Sequence, residues 1–239
     1  MNQFDFQRSQ QPGWVAATTV ETQERVRSFF RSVYAWMAGG LALTTLAAFW
    51  VLASPAMQQL IFGNRAMPFI LLFAELGLVF WLSFRITKMS AGTAASAFLV
   101  YSLLNGLTIS AIFFVYTYGS IVQAFATAAG MFAAMSIYGM VTKRDLTTWG
   151  SFFFMGLIGL VICSIVNIFL QSSALSWTIS IIGVFVFLGL TAWDTQKLKS
   201  YATVPELREN LAIIGALALY LDFINLFLFL LRIFGGRRD

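Results

Sequence analysis

The run Ile213-Ile214-Gly215-Ala216-Leu217-Ala218-Leu219-Tyr220-Leu221-Asp222-Phe223-Ile224-Asn225-Leu226-Phe227-Leu228-Phe229-Leu230-Leu231 decides the fold, because it is apolar, of bilayer length and carries one acid near its middle. At ~1.5 Å rise per residue the segment reaches roughly 28 Å, and an ionisable residue at that depth costs about 2.5 to 3.5 kcal/mol on insertion scales. Such an acid must face protein or water. Asp222 and Asn225 are three apart and share a helix face, while the remaining faces are uniformly greasy, so the segment reads as a helix packed among other membrane helices.

The rest of the chain agrees. Of 239 residues, 59% are hydrophobic and only 10% charged, with a mean hydropathy of +0.80, too apolar for a water-soluble surface. The chain is a polytopic membrane protein. Cys163 is the only cysteine, which excludes an intrachain disulfide and a thiolate metal cluster. The absence of histidine excludes imidazole ligands, histidine-based triads and histidine pH switches. The net charge of +5 is confined mostly to short segments between apolar runs, a positive-inside pattern rather than a nucleic-acid surface.

Residues 1–32 are polar, with Gln10-Gln11-Pro12-Gly13 expected to be a disordered start and Glu21–Arg31 an interfacial helix. They are not expected to form a cleavable signal peptide, since the polar leader is too long and the apolar run after it is of spanning length. Seven spans are expected at Val33–Ala53, Met67–Phe84, Gly92–Tyr116, Gly119–Val141, Trp149–Gln171, Ala174–Trp193 and Ile213–Leu231, forming one membrane domain over residues 33–235 before a short basic tail at 236–239. A charged link over Thr195–Ala212 precedes the last span, with Val204-Pro205-Glu206 marking a helix start. Small residues at helical spacing, Gly92, Ala95 and Ser96 in the third span and Ala126, Gly130, Ala133 and Ala134 in the fourth, are expected to allow close helix contact.

Two further acids stand where charge is costly. Asp194 ends the sixth span in Leu190-Thr191-Ala192-Trp193-Asp194-Thr195-Gln196-Lys197, and is either an interfacial boundary residue or the partner of Asp222 across the last hairpin. Two carboxylates in contact within a poor dielectric cannot easily both ionise, so such a pair holds a proton and can act as a switch without histidine. Asp222 is expected about 15 Å inside the membrane and Asp194 at its edge. Contact therefore requires a last helix that starts near Pro205, a sixth helix that runs deeper with Lys197 snorkelling, or a break in one helix at the site; within the expected spans neither acid has a lysine neighbour. Glu75, in Phe73-Ala74-Glu75-Leu76-Gly77, is a proton relay, an ion ligand or the hydrogen-bond partner of a polar residue such as Asn105 or Asn167. Arg85, at the end of the second span, is a positive-inside arginine or a clamp for Asp194.

The run Leu217–Phe227 around Asp222, the run Gly189–Leu198 around Asp194 and the terminal Leu231-Arg232-Ile233-Phe234-Gly235 resemble the signature of the Bax inhibitor-1 family, also called the transmembrane Bax inhibitor motif family. Thr142-Lys143-Arg144-Asp145-Leu146 resembles its bacterial branch, and the likeness spans about residues 33–235. The resemblance implies an all-α seven-helix bundle in which two three-helix layers wrap a central C-terminal helix. It implies that Asp194 and Asp222 form a pH-sensing pair gating a slow calcium leak, with Arg85 as the latch on Asp194. Some bacterial relatives instead modulate a membrane-bound AAA protease.

Two functions therefore stand side by side. One is a pH-sensitive calcium or cation leak, for which Asp194 and Asp222 offer hard oxygen ligands to calcium as permeant or transient guest. The other is a non-conducting regulator with the polar N-terminal segment as its handle. An enzyme is disfavoured, since no HExxH, nucleophile elbow or phosphate loop occurs. No cofactor and no nucleic-acid partner is expected; membrane lipid surrounds a monomer or weak oligomer. A cytoplasmic N-terminus puts Arg8, Arg25, Arg27, Arg31, Arg85, Lys88, Lys143, Arg144, Lys197, Lys199 and Arg208 inside and Arg65, Arg232, Arg237 and Arg238 outside, eleven against four. The expected location is a bacterial inner membrane with a periplasmic C-terminus. A reporter fused after Asp239 is expected to report from the periplasm; a cytoplasmic signal would demand six full spans, with one of the last two apolar segments re-entrant.

Overall fold

The computed structural model describes residues 11–86, 88–202 and 208–236, with backbone alone for 11–22 and 208. The helices are α1 (Gln11–Ala53), α2 (Pro55–Phe62), α3 (Met67–Arg85), α4 (Ala91–Ile109), α5 (Ile112–Val115), α6 (Tyr118–Val141), α7 (Thr147–Leu170), α8 (Ser173–Tyr201) and α9 (Arg208–Phe234). No β-strand occurs among the described residues. Their ends follow local chemistry. The hydroxyls of Ser54, Ser90, Thr117 and Ser172 accept the first free amides of α2, α4, α6 and α8, and prolines occupy the first turns of α2 and α3, where no amide hydrogen is needed. Gln171, at φ 49°, ends α7 in the left-handed region while Asn167 Oδ1 accepts the Ser172 amide, which folds α8 back on α7.

Seven helical stretches are long and apolar enough to cross a membrane: Gln23–Ala53, Met67–Arg85, Ala91–Val115, Tyr118–Val141, Thr147–Leu170, Ser173–Tyr201 and Glu209–Phe234. The protein is an all-α, seven-span membrane protein. Burial separates the spans: 67% of the most apolar window of α9 is enclosed by protein, against 6% for α7, whose Phe152, Phe154, Met155 and Phe169 face outward. α9 packs on α8, α1, α6 and α4, while α4 also holds α1 and α3 and α8 also holds α6 and α7. The helices thus form two groups of three around a central last helix, as the family resemblance implied.

Three expectations need correction. First, α8 does not stop at Trp193 but continues to Tyr201, and α9 begins at Arg208, so most of the expected link is helix. Leu198 and Ala202 are buried beyond the last hydrophobic run, and the ammonium of Lys197 lies 4.9 Å from the Trp193 ring centroid and 5.7 Å from that of Tyr201, its stem covering apolar surface. Lys197 therefore lies within the same span as Asp194, contrary to expectation. The helix start expected at Val204–Glu206 lies outside the described residues, as do Arg8, Arg237 and Arg238.

Second, residues Gln11–Gly13 and the expected interfacial helix at Glu21–Arg31 are continuous with the first span in α1. Phe29, Phe30 and Val33 are buried there, which draws that part of α1 into the bundle. Third, the small residues that make close contact lie on other faces. Gly92, Ser96, Ala126, Gly130, Ala133 and Ala134 are exposed, whereas Ala94, Ala97, Ala124, Ala128, Ser136 and Gly139 are buried.

Gly139 is packed so closely that a Cβ there would strike the carbonyl oxygen of Ala192 on α8; Gly130, on the same helix, has open space in that position. Gly139→Ala is expected to destabilise the protein by about 1 to 3 kcal/mol through overpacking and Gly130→Ala to be neutral or slightly stabilising. Thermal unfolding in detergent reads the difference, and equal melting of the two variants would refute the α6–α8 contact.

Candidate functional site

Backbone approach fixes the place of Asp194. Ala192, two residues before it, sits on Gly139 of α6, and Trp193 sits on Gly150 of α7, where any added Cβ would meet the indole ring. Gln196, two residues after it, donates from Nε2 to the Arg144 carbonyl (2.8 Å) and accepts the Leu146 amide on Oε1 (2.8 Å). Asp194 is thus held between two glycine contacts and a side-chain clamp on the α6–α7 loop. Asp222 is fixed by the enclosure of α9 and is 4% exposed.

The two carboxyl groups are in side-chain hydrogen-bond contact. The depth mismatch expected from the sequence disappears because α8 is longer and α9 starts earlier than their apolar runs. One oxygen, Asp222 Oδ2, is buried and accepts from no donor group of the described residues. Carboxylates carry lone pairs and no hydrogen, so a contact between two of them is a hydrogen bond only when one holds a proton. Asp194 is half-buried and feels the charge of Lys197 one turn along α8.

The other sequence candidates fall elsewhere. Arg85 is exposed at the end of α3 and, among the described residues, forms no ion pair with Asp194. It lies near the start of α9, because Asn210 Nδ2 donates to the carbonyls of Ile86 (2.9 Å) and Met89 (2.8 Å) just beyond it, roughly 18 Å along α9 from Asp222. Asn225 is half-buried and donates from Nδ2 to Leu221 O of its own helix (2.8 Å). Glu75 is buried, accepting from Thr108 Oγ1 (2.6 Å) and Asn105 Nδ2 (3.3 Å) on α4, so Asn105 is its partner; Asn167 instead serves the α7–α8 turn and Ser176. No group of three or more acidic, cysteine or histidine side chains that could hold a metal occurs among the described residues.

Two sets of hydroxyls were not singled out in the sequence. Tyr34 of α1 is hydrogen-bonded to Ser136 of α6, whose Oγ lies 3.0 Å from Thr195 Oγ1, one residue after Asp194. On the other side, Tyr220, two residues before Asp222, reaches Asn105 Oδ1 (2.9 Å) and Thr44 Oγ1 (2.6 Å), and Thr44 reaches the Ser102 carbonyl (2.9 Å). The available signal was a hydroxyl in an apolar span, which has to find a partner where no water competes.

If the pair needs only hydrogen-bonding shape to fold, Asp222→Asn is expected to leave the protein folded, whereas Asp222→Lys places a cation in an enclosed site at a cost of about 2.5 to 3.5 kcal/mol or more. Size-exclusion profiles and melting in detergent distinguish the two. Equal behaviour of Asn and Lys would show that the position is not enclosed.

Comparison with known proteins adds identity to this geometry. The family described as "Inhibitor of apoptosis-promoting Bax1" matches residues 26–239. The inner membrane protein YbhL of Escherichia coli K12 is 50% identical over 224 residues, covering 92% of this chain and 96% of that protein. An uncharacterized protein of Deinococcus radiodurans is 46% identical, covering 94% of this chain and 97% of its own. An uncharacterized membrane protein of Streptococcus pyogenes serotype M1 is 40% identical over 90% of this chain and 94% of its own. With a match over nearly the whole seven-span domain and relatives of the same length, the chain belongs to the Bax inhibitor-1 family.

Proposed function

We propose that the chain is a pH-sensitive leak for calcium or a related cation, and that Asp194 and Asp222 are its proton-operated gate. The observation carrying this reading is the contact of two carboxyl groups on α8 and α9, one with a buried oxygen that no donor serves. With a shared proton the pair binds α8 to α9. Loss of that proton leaves two like charges in a poor dielectric, which must separate or recruit a cation. A calcium ion as cargo supplies that cation, so its binding releases a proton and weakens on acidification. Arg85, exposed at the end of α3 near the start of α9, is the alternative counter-charge once α8 moves, and closure by this latch competes with opening by repulsion.

The high likeness to YbhL, named as an inner membrane protein, supports an inner-membrane location. The basic-residue count supports a cytoplasmic N-terminus, with the Asp194 end of the bundle on that side. The reading requires no catalytic group and no resident cofactor.

The test is flux. Purified protein in liposomes loaded with a calcium-sensitive dye is expected to pass calcium at a rate that changes as external pH goes from mildly acidic to mildly alkaline. Asp222→Asn, which keeps shape but cannot titrate, is expected to flatten that dependence. A pH profile unchanged in the folded variant would remove Asp222 from the gate, and no flux from folded parent protein would turn the assignment to the non-conducting regulator of a membrane protease.

A further inference from the structure

The contacts around Glu75 contain one hydrogen bond more than the neutral groups there can supply. Five close contacts run from α3 through α4 and α9 to α1: Thr108 Oγ1 to Glu75 Oε1, Asn105 to Glu75 Oε2, Tyr220 Oη to Asn105, Tyr220 Oη to Thr44 Oγ1, and Thr44 Oγ1 to the Ser102 carbonyl. The Ser102 carbonyl only accepts, so that contact takes the Thr44 hydrogen. The 2.6 Å contact between the two hydroxyls then takes the Tyr220 hydrogen. Tyr220 has none left for Asn105. If the amide oxygen of Asn105 faces Tyr220, one oxygen pair in the chain at 2.6 to 2.9 Å has no hydrogen between its members.

Turning the Asn105 amide over removes the conflict on that side, since its nitrogen then donates to Tyr220. The exchange of amide oxygen and nitrogen is the assignment that only a hydrogen-bond network can make. It moves the deficit to the other side of Asn105, where the amide oxygen now faces Glu75 Oε2. A hydrogen between those two oxygens can come only from the acid. All five contacts are hydrogen bonds at once when Glu75 is protonated, and in no other arrangement of the same atoms.

We infer that Glu75 holds a proton in the folded protein and is a second proton-binding site, separate from the aspartate pair, whose state the central helix reads through Tyr220. With the proton present, donation runs in one direction: Glu75 to Asn105, Asn105 to Tyr220, Tyr220 to Thr44, Thr44 to the Ser102 carbonyl. When Glu75 ionises, its carboxylate draws the Asn105 nitrogen, the amide turns over and Tyr220 must donate to Asn105. Thr44 then has one hydrogen for two acceptors, Tyr220 Oη and the Ser102 carbonyl, and one of those two contacts goes without. A proton on α3 is thereby converted into the presence or absence of one hydrogen bond at Thr44, either to Tyr220 on the central helix or to the Ser102 carbonyl on α4.

Among the described residues, the other titratable groups close enough to act electrostatically with Glu75 are the phenols of Tyr101 on α4 and Tyr220 on α9, both uncharged at neutral pH. Asn105 and Thr108, the groups that touch it from α4, are neutral. The inference does not rest on ion conduction: a proton site of this kind exists whether or not the chain passes calcium.

The experiment is infrared spectroscopy of the full-length protein in liposomes at neutral pH, in H2O and D2O. The Asp194→Asn/Asp222→Asn double variant removes the aspartate pair from the spectrum. It is expected to retain one carbonyl stretch of a protonated carboxylic acid, sensitive to deuterium, and Glu75→Gln in that background is expected to abolish it. Absence of the band in the folded double variant, or its survival in Glu75→Gln, overturns the inference. Thermal unfolding gives a second readout: the Gln amide can donate to Asn105 as the acid does, so Glu75→Gln alone is expected to melt at or above the parent temperature. A marked fall would show that an ionised carboxylate is needed. In Tyr220→Phe the carboxyl band is expected to shift in frequency, and an unshifted band would sever the coupling to α9. None of these readouts involves flux, so failure here leaves the leak assignment to its own test.

Discussion

The constraint on which this structure depends is the enclosure of α9. A helix surrounded by other membrane helices has neither water nor lipid headgroups for its polar side chains, so each must find a partner on a neighbour or on its own backbone. α9 carries Tyr220, Asp222 and Asn225 in its central turns. Asn225 is satisfied by the Leu221 carbonyl. Tyr220 and Asp222 are not served locally, and the surrounding helices are arranged to meet them: Thr44 and Asn105 for the phenol, Asp194 for the acid. The glycine contacts at Gly139 and Gly150 and the Gln196 clamp follow from the same need, since they hold α8 where its carboxyl can reach Asp222.

Much of this was legible in the sequence because lipid imposes a simple rule. Apolar runs of bilayer length gave the seven spans to within a few residues at most ends, and an acid inside such a run had to find a partner among the neighbouring helices. The ends of the sixth and seventh spans were less legible because hydropathy marks where apolar residues stop rather than where the helix stops. Lys197 looked like the edge of the membrane, yet its stem lies over Trp193 and Tyr201 while α8 continues beneath it.

Rotational phase was the other failure. In a soluble amphipathic helix the polar face reveals the buried one, but a membrane helix is apolar on both, so the sequence does not tell which small residues face protein. Ala126, Gly130, Ala133 and Ala134 form a regular stripe and are exposed. The marks that do give phase are hydroxyls, because a serine or threonine that must bond across helices faces inward: Ser136 and Thr195 lie on the contact that Gly139 makes possible. Glu75 was recognisable as a buried acid, with Asn105 and Asn167 equal candidates for its partner, whereas the extension through Tyr220 to Thr44 depends on three helices meeting and leaves no mark in any one of them.

Helical geometry gives the placement of the two acids a further meaning. Tyr220 and Asp222 are two residues apart, so at ~100° per residue their side chains point about 200° apart, to nearly opposite sides of α9. Tyr220 therefore turns toward α1 and α4, in the group of helices that holds Glu75, and Asp222 turns toward α8, in the group that holds Asp194. One three-helix group thus grips the central helix through the acid Asp194, and the other through Asn105 and Thr44, with Glu75 one hydrogen bond behind Asn105. Because the two contacts lie on opposite faces at nearly the same depth, α9 is held from both sides by polar contacts at one level of the bundle, and loss of either leaves it held by the other.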